Sequence, residues 1–371
     1  SKILSINKLM NQNQKQKIKN ESLKYEKILE NILNEKSLSD IFILNDHSFW
    51  NELKHELIET FKNRLFWYLQ LIYSSKMYIK NSNIHSILSL NVMGETEKSI
   101  LSQSSNNTNS IMLEHAFANY TKEISRYDIL SNYSLFPDKI AVWGKVQQMY
   151  LETIHKISDK NIIICGSPRH DSFFQSKNPK RTSKNTILLC PRPIVELTCH
   201  NSTQMYIKYE RILKTTIQKL KTLPNTQLIF KLHPGDIAHN DLIKKVIQKI
   251  DPSIVIFHTK PIDVLIRESD LVLVISPEGF DPSTVILESI ILKKPVINLI
   301  LDEKLYDFSY ERHKAVLSIT EKNDLQKIIM NLYDDSQYKN SLLLNGEKFL
   351  QDYLSNHGTA SEIFDKELFK L

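Results

Sequence analysis

The stretch FKLHPGD, residues 230–236, ends an apolar run in an unusual way. The run itself, QLIF at 227–230, has the length and composition of a buried strand. Lys231, His233, Pro234 and Gly235 then crowd together in a chain that has only 7 glycines and 12 histidines. Pro234 fixes the backbone and Gly235 permits a sharp turn. The ammonium and imidazole beside them are donors suited to an anion.

Working outward from this strand, the same logic repeats. TILLCPRP (186–193), SIVIFH (253–258), LVLVIS (271–276) and PVINLI (295–300) are short apolar runs. Between them lie helical patterns: TQMYIKYERILKTTIQKLKTL (203–223), HNDLIKKVIQKI (239–250), PIDVLIRES (261–269) and PSTVILESIILKK (282–294). Alternating buried strands and amphipathic helices predict a parallel sheet covered on both faces. The first half follows the pattern less cleanly. Helical periodicity marks NESLKYEKILENILNEK and SFWNELKHELIETFKNRLFWYLQLIYSSK. Strands are expected at SILSLNV (86–92), SIMLEHAF (110–117), KIAVWG (139–144) and NIIICGSPRHDSF (161–173). The aromatic face of Phe66, Trp67, Tyr68 and Tyr73 reads as a buried helix face in preference to a membrane surface. The polar, basic QSKNPKRTSKN (175–185) reads as a linker. The expectation is α/β, two doubly wound domains facing each other across a cleft: 1–175 with a helical N-terminal extension, 186–350, and a terminal helix in 351–371 packing back on the first.

Composition restricts the function. At 371 residues two domains are the default. The net charge of +6 is modest and spread along the chain, without an arginine-rich tract, so nucleic acid is not an expected partner. Cys165, Cys190 and Cys199 have no metal-ligand spacing, which suits a reducing compartment. The N-terminal SKILSINKLMNQNQKQKIKN is too polar for a signal peptide, and no run reaches the roughly 20 apolar residues that span a bilayer. A cytoplasmic protein is expected, with peripheral attachment to the inner membrane face as an alternative.

The unusual polar clusters of the second half fall at strand C-termini, where open α/β sheets bind ligands. Residues 187–190 lead into Pro191-Arg192-Pro193, 227–232 into His233-Pro234-Gly235, and 271–275 into SPEGFDPST (276–284). In the last loop Asp281 reads as an N-cap and Pro282 as the first helical residue, with Ser283 and Thr284 in the first turn. Free N–H groups and two hydroxyls there make an anion site. Glu288, one turn on, is placed to accept hydrogen bonds from a ribose diol. In the first half Glu114 and His115 sit at a strand exit, and Glu95 and Glu97 follow Gly94. Any of these could take a proton from an acceptor hydroxyl. Glu95 and Glu97 serve equally well as helix-capping residues, His115 is the better base, and the sequence leaves the choice open. GxGxxG, Walker, GxSxG, HExxH and DxD motifs are absent.

Taken in order, LEHAF (113–117), DKIAVWGKVQQMYL (138–151), IIICGSPRHDSF (162–173), His233-Pro234, SPEGFDPST with VILESIILKKPVI (285–297), and GTASEIFDKEL (358–368) resemble GT-B-type glycosyltransferases of surface-polysaccharide synthesis. Bacterial sialyltransferases and CDP-glycerol glycerophosphotransferases are the related enzymes. The resemblance covers roughly residues 85–371. It implies that His233 and the Ser283–Thr284 loop bind a donor phosphate and Glu288 the ribose, with Gly166, Ser167, Arg169, Arg192, Lys231, Pro234, Gly235, Ser276 and Glu278 around them. His115 matches a histidine that is base or acceptor contact in relatives, although Ala116 replaces the glycine that follows it there. The implied activity is inverting, metal-independent and cofactor-free transfer of a sugar to a glycan or lipid-linked acceptor. A CMP-activated acidic sugar is the favoured donor, and polyol-phosphate transfer or UDP-sugar chemistry are the alternatives.

Overall fold

A computed structural model describes residues 10–35, 38, 40–82, 84–92, 94–103, 108–123, 125, 130, 138–175, 185–194, 203–235, 238–277, 282–301 and 307–368. The chain divides into two compact units, Ser1–Met112 with Asn132–Lys139, and Leu113–Ser131 with Ile140–Lys370.

In the first unit, helix α1 (Gln12–Leu33) begins earlier than the apolar periodicity predicts. The reason is a cap: Asn11 accepts from the Gln14 N–H, and the Gln14 side chain returns the bond to Asn11 N. Strands β1 (Ile43–Leu44) and β2 (His47–Ser48) pair across Asn45 and Asp46, both at positive φ, as a two-residue hairpin turn requires. Helix α2 (Trp50–Asn81) packs along α1 through Ile18 and Leu69. Its aromatic residues 66, 67, 68 and 73 are half-buried, short of the full burial expected. Strand β3 (Ser86–Ser89), helix α3 (Glu95–Leu101) and strand β4 (Asn109–Leu113) follow, and β3 pairs with β4 in parallel.

The second unit holds β5 (Lys139–Val142), α4 (Lys145–Thr153) and β6 (Ile162–Ile164), a parallel β-α-β unit, then the short α5 (Asp171–Gln175). Six further strands follow: β7 (Asn185–Pro191), β8 (Thr226–Lys231), β9 (Val255–Phe257), β10 (Leu271–Ser276), β11 (Val296–Ile300) and β12 (Leu317–Ile319). Their connecting helices are α6 (Thr203–Lys221), α7 (Ala238–Ile250), α8 (Ile262–Glu268), α9 (Thr284–Ile291) and α10 (Ser309–Arg312). The chain closes with α11 (Leu325–Asp334), α12 (Ser336–Tyr353) and α13 (Ala360–Leu368).

These six strands form one parallel sheet in the order β12-β11-β10-β7-β8-β9. Side chains alternate faces along each strand. Ile187, Leu189, Leu273 and Ile275 join one core with α6, α7 and α11, while Leu188, Cys190, Val272 and Val274 join another with α8, α9 and α12. Both faces are therefore covered, which explains the near-continuous apolar runs. The chain steps outward through β7, β8 and β9, then returns to the other side of β7 at β10. The reversal between β7 and β10 is where such sheets leave a crevice at their carboxyl ends.

The terminal segment is stitched to the exits of β5 and β6. Ser355 N–H donates to the Trp143 carbonyl, Asn356 bonds the carbonyls of Ile164 and Cys165, and the Asp171 carboxylate caps α13 through the N–H groups of Ala360 and Ser361. Gly166 has φ +87°, and a Cβ there would stand 2.3 Å from the Ser355 carbonyl oxygen, so the approach of this segment needs glycine. Cys165 and Cys190 are free and buried, and Cys199 lies outside the described residues. Among the described residues no helix is long and apolar enough to cross a membrane.

Candidate active site

The exits of β7, β8 and β9 and the start of α9 line a pocket of about 540 Å³ in the second unit, completed by Ala116, Phe117 and Arg169. It lies at the carboxyl ends of the strands, on the reversal side of the sheet. Arg169, Arg192, Lys231, His233 and Lys260 are in its lining with the carboxylate of Glu288, and Lys260 pairs with Glu268 at 2.7 Å. The balance is cationic, so the pocket favours an anion.

At the β8 exit, Lys231 Nζ donates to the carbonyls of Leu232 (2.8 Å) and His258 (2.7 Å). Burial lowers its pKa, opposed by the nearby Cys190 and Glu288. Gly235 N–H donates to His233 Nδ1 at 3.1 Å. With Nδ1 accepting, the neutral ring carries its proton on Nε2 and can donate from there. Burial, with Lys231, Arg192 and His258, keeps the ring below its ordinary pKa. The loop is pinned from α7: Asn240 Nδ2 donates to the carbonyls of His233 (2.9 Å) and Gly235 (3.1 Å). The β7 exit is held in the same manner. Tyr209 donates to the Arg192 carbonyl, and Ile194 N–H donates to His239 Nδ1.

Helix α9 starts at Thr284, two residues later than Pro282, the start expected from sequence. Ser283 is the N-cap, extended at φ −73° and ψ 131°, and its side chain makes no capping bond. The Asp281 expected as cap lies outside the described residues. The shift still leaves free donors at the helix start. Among the described residues no acceptor meets the N–H groups of Thr284 or Val285, while Ile286 N–H bonds the Ser283 carbonyl. Unpaired donors at a helix start attract anions.

Glu288 is 4% exposed. Burial pushes its pKa up to about 7; Arg169 and Lys231 oppose the rise and Asp263 adds to it. Arg169 stands 3.6 Å away and also donates to the His115 carbonyl at 3.2 Å. Behind Glu288 sits His170, fully buried, with Nε2 at 3.9 Å from Glu288 Oε1 and Nδ1 at 2.7 Å from Ser167 Oγ.

Of the residues singled out in the sequence, Arg169, Arg192, Lys231, His233, Pro234, Ser283, Thr284 and Glu288 come together in the lining, and Gly235 orients the His233 ring. Others lie elsewhere. Ser276 is buried and donates to Asn298 Oδ1, which belongs to a chain ending at Tyr310. Gly166 and Ser167 lie behind the lining, and Glu278 is outside the described residues. Glu114 is 1% exposed, and its carboxylate accepts from the Trp143 N–H, the Tyr120 hydroxyl and Gln147. Those bonds make it a fixture of the fold. His115 is half-buried beside the lining residue Ala116, and among the described residues its Nδ1 has no partner. Glu95, in the first unit, accepts from the Tyr68 hydroxyl and from Arg64 at 3.3 Å. Among the described residues no three His, Cys, Asp or Glu side chains gather where a metal ion would be held.

The sequence reading missed the β9 exit, where Thr259, Lys260, Pro261 and Ile262 line the pocket. The strand-end rule that exposed the other loops applies there equally. His239 and Asn240 were also missed, since each looks like an ordinary polar residue opening a helix.

No family model matches the chain, and no curated protein matches its sequence. Solved structures do match. A glycosyltransferase from Rickettsia africae ESF-5 aligns at TM-score 0.52 and 15% identity, over 82% of this chain and 82% of its own. The UDP-GlcNAc 2-epimerase from Neisseria meningitidis, solved with UDP-GlcNAc bound, aligns at TM-score 0.55 and 14% identity, over 86% and 90%. Sucrose-phosphate synthase from Thermosynechococcus elongatus aligns at TM-score 0.50 and 13% identity, over 81% and 78%. At such identities the likeness is one of fold. The chain has the α/β fold of Rossmann-like parallel-sheet units, GT-B in type, found in these glycosyltransferase and epimerase structures.

Proposed function

We propose that the chain is an inverting, metal-independent glycosyltransferase that binds a nucleotide-activated sugar in the pocket at the β7–β10 reversal. The observation that carries this reading is the meeting of His233, Arg192 and the start of α9 in the lining of one cationic pocket, where among the described residues no acceptor meets the N–H groups of Thr284 and Val285. Residues 186–350 would hold the donor. The donor's C–O bond to phosphate breaks with its electron pair leaving on the phosphate, and an acceptor oxygen forms the new bond to that carbon. Charge growing on the departing phosphate is met by fixed donors that need no reorganisation. The acceptor's proton passes to a base. His115 is the candidate for this step, because it adjoins the pocket and the oxygens of Glu114 are occupied. Buried Glu288 would accept from the ribose hydroxyls.

A CMP-activated acidic sugar is the donor we favour, since the several cations of the lining suit a carboxylate together with a phosphate. The acceptor would be a glycan or a lipid-linked glycan. A UDP-sugar transferase or epimerase is the second reading, favoured by the fold shared with the UDP-GlcNAc-bound epimerase. Incubation with CMP- and UDP-activated sugars in water separates them. Slow release of CMP supports the first, and release of UDP, or epimerised sugar, supports the second. A chain that binds nucleotides and never turns over a donor is a binding module, and the enzyme reading then fails.

A further inference from the structure

The buried imidazole behind the pocket takes no part in the proposed binding or transfer. His170 is 0% exposed, and two aromatic neighbours, Trp143 and Phe173, meet the ring edge-on at 5.5 and 5.4 Å between centroids. Ser167, itself 4% exposed, contacts Nδ1. Among the described residues Nε2 finds no hydrogen-bond partner, and it stands 3.9 Å from Glu288 Oε1. A clamped ring with an unpaired buried nitrogen is costly unless the nitrogen serves a neighbour. A neutral imidazole has one donor and one acceptor nitrogen. With a carboxylate facing Nε2 and a hydroxyl facing Nδ1, the favourable arrangement has Ser167 donating to Nδ1 and the proton on Nε2.

We propose that Ser167 and His170 form a positioning relay that aims the Nε2–H of His170 at Glu288 and keeps its carboxylate ionised to receive a ribose diol. This rests on the nucleotide reading of the pocket. Only the ionised carboxylate offers both of its oxygens as acceptors; once protonated, one oxygen becomes a donor. Burial works against that, holding Glu288 near a pKa of about 7. The groups around Glu288 are Arg169 and His170 from the β6 exit, Cys190 on β7, Lys231 on β8 and Asp263 on α8. Arg169 is half-exposed, so its field is screened by water. His170 is the dry contact. Its own pKa, pushed down to about 3 by burial and by Arg169, with Asp171 opposing, leaves the ring neutral at working pH. It therefore acts through an oriented N–H, not as a cation.

The test is titration calorimetry of CMP and UDP, each beside its 2′,3′-dideoxy counterpart, from pH 5.5 to 8.5. In the parent, affinity for the ribonucleotide should rise with pH through a midpoint near neutrality, and the dideoxy form should bind more weakly and without that midpoint. Glu288→Gln should abolish the difference between the two forms. His170→Phe keeps a buried aromatic ring and removes the N–H. It should move the midpoint upward and weaken ribonucleotide binding at pH 7 by about fivefold, with dideoxy binding unchanged. Ser167→Ala, which frees the ring tautomer, should shift the midpoint in the same direction by less, and it answers the question if His170→Phe does not fold. An unmoved or lowered midpoint in both variants, while Glu288→Gln loses the discrimination, overturns the relay alone. No nucleotide binding to the parent, or unaltered discrimination in Glu288→Gln, overturns the nucleotide reading and the relay with it.

Discussion

Asn240 lies outside the pocket lining, yet replacing it should weaken whatever the pocket binds. Its amide donates to the carbonyls of His233 and Gly235 at 2.9 and 3.1 Å, fixing both ends of the turn that presents the imidazole. Asn240→Leu keeps the branched shape, with bulkier ends, and removes both bonds. Each is worth about 0.5–1.5 kcal/mol net. Two effects reduce the sum: both carbonyls belong to residues that water reaches, and among the described residues Asn240 Oδ1 is itself buried without a partner, so losing it is a gain. The expected loss of stability is about 1–2 kcal/mol, or roughly 3–6 °C in Tm for a unit of this size. Ligand binding must then re-order the turn. That ordering costs on the order of 1 kcal/mol per residue, so nucleotide affinity should fall about three- to tenfold. Thermal melts and titration calorimetry on the same preparations measure both. A lowered Tm with unchanged affinity would show that the turn does not meet the phosphate, and His233 would leave the proposed mechanism.

Other expectations concern rate, metal and pH. His233→Ala should lower kcat far more than it weakens donor binding, because phosphate charge grows as the bond breaks; an unchanged kcat in steady-state kinetics refutes this. Turnover should survive EDTA, since the donor side supplies N–H and cationic groups; loss that Mg²⁺ or Mn²⁺ restores would contradict it. Stability should fall as pH drops from about 6.5 towards 4. His170 and His239 are buried with pKa values of about 3 and about 4, so the unfolded chain takes up protons first. Glu288 runs the other way. With its pKa raised to about 7, the folded state holds a proton between about 4.5 and 7 that the unfolded chain has lost, so Glu288 favours the folded state on acidification. Removing it with Glu288→Gln should make the acid loss steeper in pH-dependent melts, and a shallower loss would be against the argument.

The sheet was legible because its strands are buried on both faces. LVLVIS (271–276) contains six buried residues in a row, and such a run has few other readings once helices flank it. The strand-end rule then found most of the pocket. Where it failed, the physics was local or long-range in ways a pattern conceals. The start of α9 was misplaced because Asp281-Pro282 satisfies every rule for a cap and first residue, while the chain uses Ser283. The hairpin at 43–48 carries an Asn-Asp turn signal in a stretch too short to show strand periodicity. Glu114 read as a candidate base because a strand exit normally opens to solvent. Trp143, far along the chain, covers it and binds it through both its N–H groups, one to the carboxylate and one to the carbonyl. His170 could not be paired with Glu288 from sequence, since only the fold brings the β6 exit behind α9.

In the proposed function a nucleotide's phosphate rests on the start of α9 beside His233. A crystal structure of the protein grown with CMP or UDP tests it most directly. Phosphate oxygens are expected within about 3.2 Å of the N–H groups of Thr284 and Val285 and of His233 Nε2, with the ribose hydroxyls on Glu288. A nucleotide bound in another cavity, or in this pocket with its phosphate away from α9, would contradict it.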